Sequence, residues 1–228
     1  MPKTRVIKKT VYTFDELSES AKDKARQWIR DCNTEDNSWS EFVIENAARM
    51  AEFMGLDVCQ RRVTLMGGGS RYEPSIYWSG FWSQGDGACF EGSWDASKVN
   101  AKGLKDEAPT DTELHRIVDG FAEVARKYPE GSFTCKHTGH YNHSHSTSFD
   151  VELNDPKEND LEYASTEWSV AATKWGEDEE TLIELARDFM DWIYKQLEKE
   201  WDYQNSDEQI DETIRANEYE FSEDGHVA

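Results

Sequence analysis

Apolar positions along the chain change period several times, and each change predicts an element. Residues 6–12 alternate as a short strand, and Thr13-Phe-Asp-Glu16 has the spacing of a capping box. Behind it Leu17, Ala21, Ala25 and Trp28 recur at helical spacing. After a polar break at 33–37, Ser38-Trp-Ser-Glu41 forms a second box ahead of Phe42, Val43, Ala47, Met50, Ala51 and Met54, with Gly55 placed to end that helix. Residues 58–65 alternate again, which predicts a strand, and Gly67-Gly68-Gly69 predicts a loop. Two aromatic-rich arms, 76–82 and 88–94, then flank Gly85-Asp86-Gly87 and read as a β-hairpin, completing an antiparallel meander. Even spacing puts Trp78, Trp82, Phe90 and Trp94 on one face of it. Interior Gly80 and Gly92 mark a bulge or a ring lying flat on the backbone.

The second half repeats the alternation of periods. Thr110-Asp-Thr-Glu113 is a third box opening a helix with Leu114, Ile117, Val118, Phe121, Ala125 and Tyr128 on one side and Pro129 as its stop. Period two returns in 132–141 and 145–153, a second hairpin, and again in 163–174, one more strand. Glu177 to Glu180 are four carboxylates suited to the start of a long helix. Its stripe of Leu182, Leu185, Phe189, Trp192, Ile193, Leu197 and Trp201 would rest on the aromatic sheet face. Ser206 caps a last helix bearing Ile210 and Ile214, and Tyr219 to Phe221 would pair beside the N-terminal strand. The fold class is therefore α+β: a mostly antiparallel sheet of about five to seven strands built from hairpins, with helices packed on it. One domain over 1–228 is the expectation for 228 residues.

Charge sharpens this picture. The net charge is −22, from 47 acidic and 25 basic residues. Residues 1–149 hold 22 acidic and 19 basic side chains; residues 150–228 hold 25 and 6. A field of that sign, concentrated in the last third, repels nucleic acid and anionic membrane and attracts basic protein surfaces. Nothing approaches the roughly 20 apolar residues that span a bilayer, and the basic start runs into VYTFDEL rather than a signal-peptide core. Four scattered cysteines without a CxxC fit free thiols in a reducing cytoplasm.

Three groups of residues could carry chemistry. Glu198, Glu200, Asp202, Asp207, Glu208, Asp211 and Glu212 form a row of charge on or between the last helices that could imitate a phosphate backbone. Gly68 and Gly69 with Trp78 and Trp82 could bind a nucleotide by stacking, although Ser70-Arg71-Tyr72 replaces the lysine and hydroxyl of a P-loop. His137, His140, His143 and His145 could converge on a metal, or sit in an exposed hairpin tip hydrogen-bonded to their surroundings. Asp86, Glu91 and Asp95 are suited to turn geometry as much as to a cation. No HExxH and no HxE with PCxxC is present.

The stretches 12–26 (YTFDELSESAKDKAR), 77–90 (YWSGFWSQGDGACF) and 197–225 (LEKEWDYQNSDEQIDETIRANEYEFSEDG) resemble a group of uncharacterised proteins encoded by bacteriophages and prophages, some labelled antitoxin-like. These shared motifs are structural and bring no catalytic residues with them. The resemblance implies a setting in the bacterial cytoplasm, where small acidic proteins bind and disable host proteins. The leading expectation is a non-enzymatic inhibitor without cofactor, whose acidic third binds a basic surface of a bacterial host protein. A nucleotide-binding protein and a metal-dependent enzyme are the alternatives.

Overall fold

The computed structural model describes residues 8–153 and 166–228, with the side chains of 166–175 left aside. The chain is α+β with antiparallel strands, as the periodicity predicts. It groups into two compact units: residues 1–41 with 199–228, and residues 42–198.

The first unit is built on α1 (Glu19–Glu35) and α6 (Asp207–Ala216). The Thr13 capping box is formed, but it opens a short 3-10 helix (Phe14–Glu16), and Ser18 then caps α1 through Ala21 N–H. Phe14, Leu17, Ala21, Ala25 and Ile29 meet Ile210, Ile214 and Phe221 in one buried cluster. The sequence spacing is visible in it: i, i+4 apolar pairs on both helices face each other. Trp28 closes one side, edge-on to Tyr219 with ring centroids 5.0 Å apart. The predicted pairing of the two chain ends is present as an antiparallel bridge between Tyr12 and Phe221; residues 6 and 7 of the predicted strand lie outside the described residues. Gly225 has φ +87°, and a Cβ there would collide with the Ala21 carbonyl, so only glycine lets the tail lie against α1.

The second unit holds a four-stranded sheet of order β1 (Leu56–Val58), β6 (Gly92–Asp95), β7 (Ser132–His137), β8 (Thr147–Glu152), all antiparallel. Two further ladders pair β2 (Gln60–Thr64) with β3 (Ser70–Pro74) and β4 (Ile76–Trp78) with β5 (Ala88–Phe90). The strand predicted at 58–65 is present as β2, with Val58 in β1, and the meander built on it is corrected because β2 pairs with β3 instead of the 76–82 arm. The chain breaks at Cys59, whose N–H and C=O bond Glu91 and Ser75, so β1 joins the large sheet and β2 turns away. Gly92 is needed because a Cβ would strike the carbonyl of Asp57 on β1.

Beyond the short α3 (Ala101–Glu107), α4 (Thr112–Lys127) and α5 (Thr166–Gln204) pack against these strands. In α4 the cap is Asp111, one residue beyond the predicted Thr110. Its carboxylate accepts from Leu114 N–H and from the Trp192 indole, both at 2.9 Å. Trp94, fully buried, stacks on Phe133 of β7 and meets Phe121 of α4, both at 5.9 Å. From α5 the predicted stripe is buried from Leu182 to Leu197, Trp201 being only partly covered, and Phe189 meets Phe90 of β5 at 6.1 Å. Leu185 packs against Gly120, the small residue that lets the helices approach. The strand predicted at 163–174 is contradicted where it is described: residues 166–174 begin α5, while 163–165 lie outside the described residues. Glu167, Ala171, Ala172 and Lys174 are helix formers, and a short alternating run does not outweigh them. Glu177 to Glu180 consequently sit inside α5. Asp178 among them is buried, held by Lys127 at 2.6 Å and the Tyr128 hydroxyl at 2.8 Å. Phe42, predicted in the apolar stripe of α2 (Ser40–Phe53), is 77% exposed.

Candidate functional site

The acidic set divides by structural role. Ser206 caps α6 through Gln209 N–H, and Ile210 and Ile214 turn inward. Helical geometry then puts Asp207 and Asp211 on the flank toward α1, where arginines meet them. Arg26 grips Asp211 with two bonds, Nε at 2.7 Å and a terminal nitrogen at 2.9 Å. The two side chains are only 14% and 17% exposed, and the bond to Asp211 raises the affinity of the guanidinium for its proton. Arg30 holds Asp207. Both carboxylates are thus engaged within the fold, Asp211 largely covered and Asp207 still 66% exposed. Glu200 accepts from Gln204 at 2.7 Å. Asp202, Glu208 and Glu212 are exposed and bond no side chain or backbone group among the described residues. Glu198, in the second unit, is exposed in the same way.

Glu208 and Glu212 are i, i+4 on one helix. Like charges so placed cost a helix about 0.2–0.5 kcal/mol, which the place of Glu208 in the first turn of α6, at the positive end of the helix dipole, offsets.

The stacking candidates belong to two separate ladders, β2–β3 and β4–β5. Gly68 and Gly69 make the β2–β3 turn: Gly68 N–H donates to Leu65 and the Gly69 carbonyl accepts from Leu65 N–H. A Cβ at Gly68 would meet nothing within 4 Å, and one at Gly69 only Leu65, so the turn cradles nothing. The β4–β5 hairpin has the predicted partners but ends at Trp78. Trp78 stacks on Phe81 at 5.7 Å, whereas Trp82 lies in the following loop, 75% exposed, where Asp86 accepts from Trp82 and Ser83 N–H. The shared face expected of Trp82 is lost because an Asx-type loop replaces the last residues of the arm.

The histidines serve the loop between β7 and β8. His137 stacks on Tyr77 at 5.2 Å and bonds the Tyr141 carbonyl through Nε2 at 3.0 Å. His143 Nδ1 accepts from His145 N–H at 3.1 Å, and His140 lies edge-on to Tyr141. Asn142 donates to the Trp78 carbonyl, tying this loop to the first hairpin. The four rings do not converge. Among the described residues no group of three or more His, Cys, Asp or Glu side chains is placed to hold a metal ion. Beneath them Tyr77 donates to Glu91 at 3.2 Å, and its desolvation pushes the phenol pKa up.

A family model described as a domain of unknown function, DUF8835, matches residues 39–207. The chain belongs to the DUF8835 family. No curated protein and no solved structure matches it. The DUF8835 match takes in the whole second unit and ends at the first residue of α6. Both hairpins, the histidine loop and the carboxylates up to Asp207 lie inside it; Glu208, Glu212, and Asp211 with its partner Arg26 lie beyond it.

Within the DUF8835 segment, α5 also presents a carboxylate-lined groove of about 460 Å³, with Glu177, Glu180, Glu184 and Asp188 around Leu185. Their 3-4-4 spacing marks one helix face, a signal masked by reading Glu177 to Glu180 as helix-start charges. Arg116 pairs with Asp188 at 2.9 Å and Arg187 with Glu184 at 2.6 Å. No helix among the described residues is long and apolar enough to cross a membrane.

Proposed function

We propose that this chain is a non-enzymatic, inhibitor-type binding protein whose acidic surface engages a basic surface on another protein, in place of nucleic acid. The observation that carries the reading is the separation of roles on the last helices. Arg26 and Arg30 hold Asp211 and Asp207, which fixes α6, while Asp202, Glu208 and Glu212 stay exposed without an ion-pair partner among the described residues. A rigid support with unneutralised carboxylates is suited to steering a cationic partner and loses little side-chain freedom beyond its own on binding. The resemblance to phage and prophage proteins makes a bacterial host protein in the cytoplasm the expected partner.

Affinity capture from bacterial lysate tests this. Wild-type protein is expected to retain a basic protein at low ionic strength, and the triple variant Asp202→Asn, Glu208→Gln, Glu212→Gln to lose it. Equal retention by both proteins would refute the assignment of these carboxylates.

A further inference from the structure

The first unit contains a cavity of about 500 Å³ between the C-terminal end of α6 and the 3-10 helix at Phe14–Glu16. That is the size range of pockets that take small groups. Half-buried Tyr219 supplies its accessible apolar surface; Phe14 and Ile214 are only 2% and 1% exposed, and the Arg215 guanidinium lies 5.3 Å from the Phe14 ring centroid. Its charged lining is unequal. Arg215 is the cation, and Asp15 already holds it through bonds of 2.9 and 3.1 Å. Glu218 and Glu220 also line the cavity, are exposed, and have no side-chain partner among the described residues. With the Arg215–Asp15 pair neutral, the two glutamates leave a net negative charge. The C-terminal end of α6 adds its partial negative charge beside them.

Glu218 is also the one residue other than glycine with positive φ among the described residues, at 52°. It stands just past the helix end, where Gly55 (φ 80°) ends α2 and where glycine adopts the conformation without steric strain. The closing bonds Glu218 N–H to Arg215 and Tyr219 N–H to Ile214 would form with glycine as well. What glutamate adds at this position is a carboxylate on the cavity wall.

We propose that this cavity is a socket for one cationic side chain of a protein partner, a guanidinium or ammonium on an alkyl stem. Tyr219 covers the stem, and Glu218 and Glu220 meet the charged head. The socket deepens the function proposed above and rests on it for the identity of the partner as a basic protein.

The test uses the full chain, isotopically labelled, with N-acetyl-arginine amide and N-acetyl-lysine amide as probes and N-acetyl-glutamate as the opposite charge. Saturable shifts of the Asp15, Arg215 and Tyr219 amides are expected with both cations and not with the anion. Glu218→Gly is expected to raise the melting temperature, because it relieves the left-handed strain, and to weaken binding of the arginine probe by about five-fold, the scale of one exposed charge pair. Glu220→Gln should weaken it similarly without raising the melting temperature. The absence of saturable shifts with the cations, shifts with the anion alone, or unchanged probe affinity in Glu218→Gly would each overturn the socket. A chain that binds the arginine probe here but captures no basic protein would refute the function proposed above and leave the socket standing. A chain that captures its partner through Asp202, Glu208 and Glu212 but ignores the probe would refute the socket alone.

Discussion

Asp211 and Glu212 are neighbours on α6, both acidic, and opposite in what their removal should do. Asp211 accepts two charge-assisted bonds from Arg26 with both side chains largely covered, and lies 3.9 Å from Arg215. Breaking a fully buried ion pair from one side costs about 3–5 kcal/mol, and an exposed pair about 0–1. The partial exposure of this pair places Asp211→Ala between them, at about 2 kcal/mol. For a chain of this length that corresponds to a fall in melting temperature of about 4–8 °C. Glu212→Ala removes no bond and relieves its repulsion with Glu208, so it should stay within about 0.5 kcal/mol of wild type. Circular dichroism melts of the two variants at equal ionic strength make the comparison. Equal destabilisation by both, or an Asp211→Ala melt within a degree or so of wild type, would refute the division between struts and free carboxylates.

Gly225→Ala should destabilise the first unit by more than about 2 kcal/mol in chemical denaturation, because strain adds to a backbone clash, whereas Gly68→Ala, with φ +84° and open space, should cost about 1 kcal/mol. Burial pushes the Cys135 thiol up to about 12 and Cys89 to about 11. Mass spectrometry after brief native alkylation at pH 8 should therefore find Cys32 and Cys59, both exposed, modified before either. The Arg215 hydrogen bond holds the Asp15 carboxyl below its ordinary 3.8. A depressed carboxyl contributes stability that is present above its unfolded pKa and lost as pH falls through the folded one, so this contribution disappears only in acid. Carbon-13 titration of Asp15 should show its midpoint rise in Arg215→Ala.

Much of this architecture is legible in the residues. Period-3.6 stripes locate α1, α4 and α6, and Ser206 gives the start of α6 because a hydroxyl must meet the free N–H groups there, whereas Ser18 and Asp111 cap α1 and α4 in place of the predicted boxes. The 132–153 hairpin and the pairing of Tyr12 with Phe221 are equally readable. What failed depended on long-range partners. Cys59 leaves its strand because Glu91 and Ser75 offer better-placed backbone bonds, and residues 166–174 extend a helix that their alternation alone disguises. The charge row was visible, but which of its members face arginines was not: Arg26 and Arg30 lie 185 and 177 residues from Asp211 and Asp207. The cavity at Glu218 left one local trace, a glutamate where a helix end favours glycine.

Association of the exposed carboxylates with the captured partner should depend strongly on salt. Stopped-flow rates for wild type should fall steeply with ionic strength, and the Asp202→Asn, Glu208→Gln, Glu212→Gln variant should associate more slowly with a shallower salt slope. Identical rates and slopes for the two proteins would contradict the role given to these carboxylates.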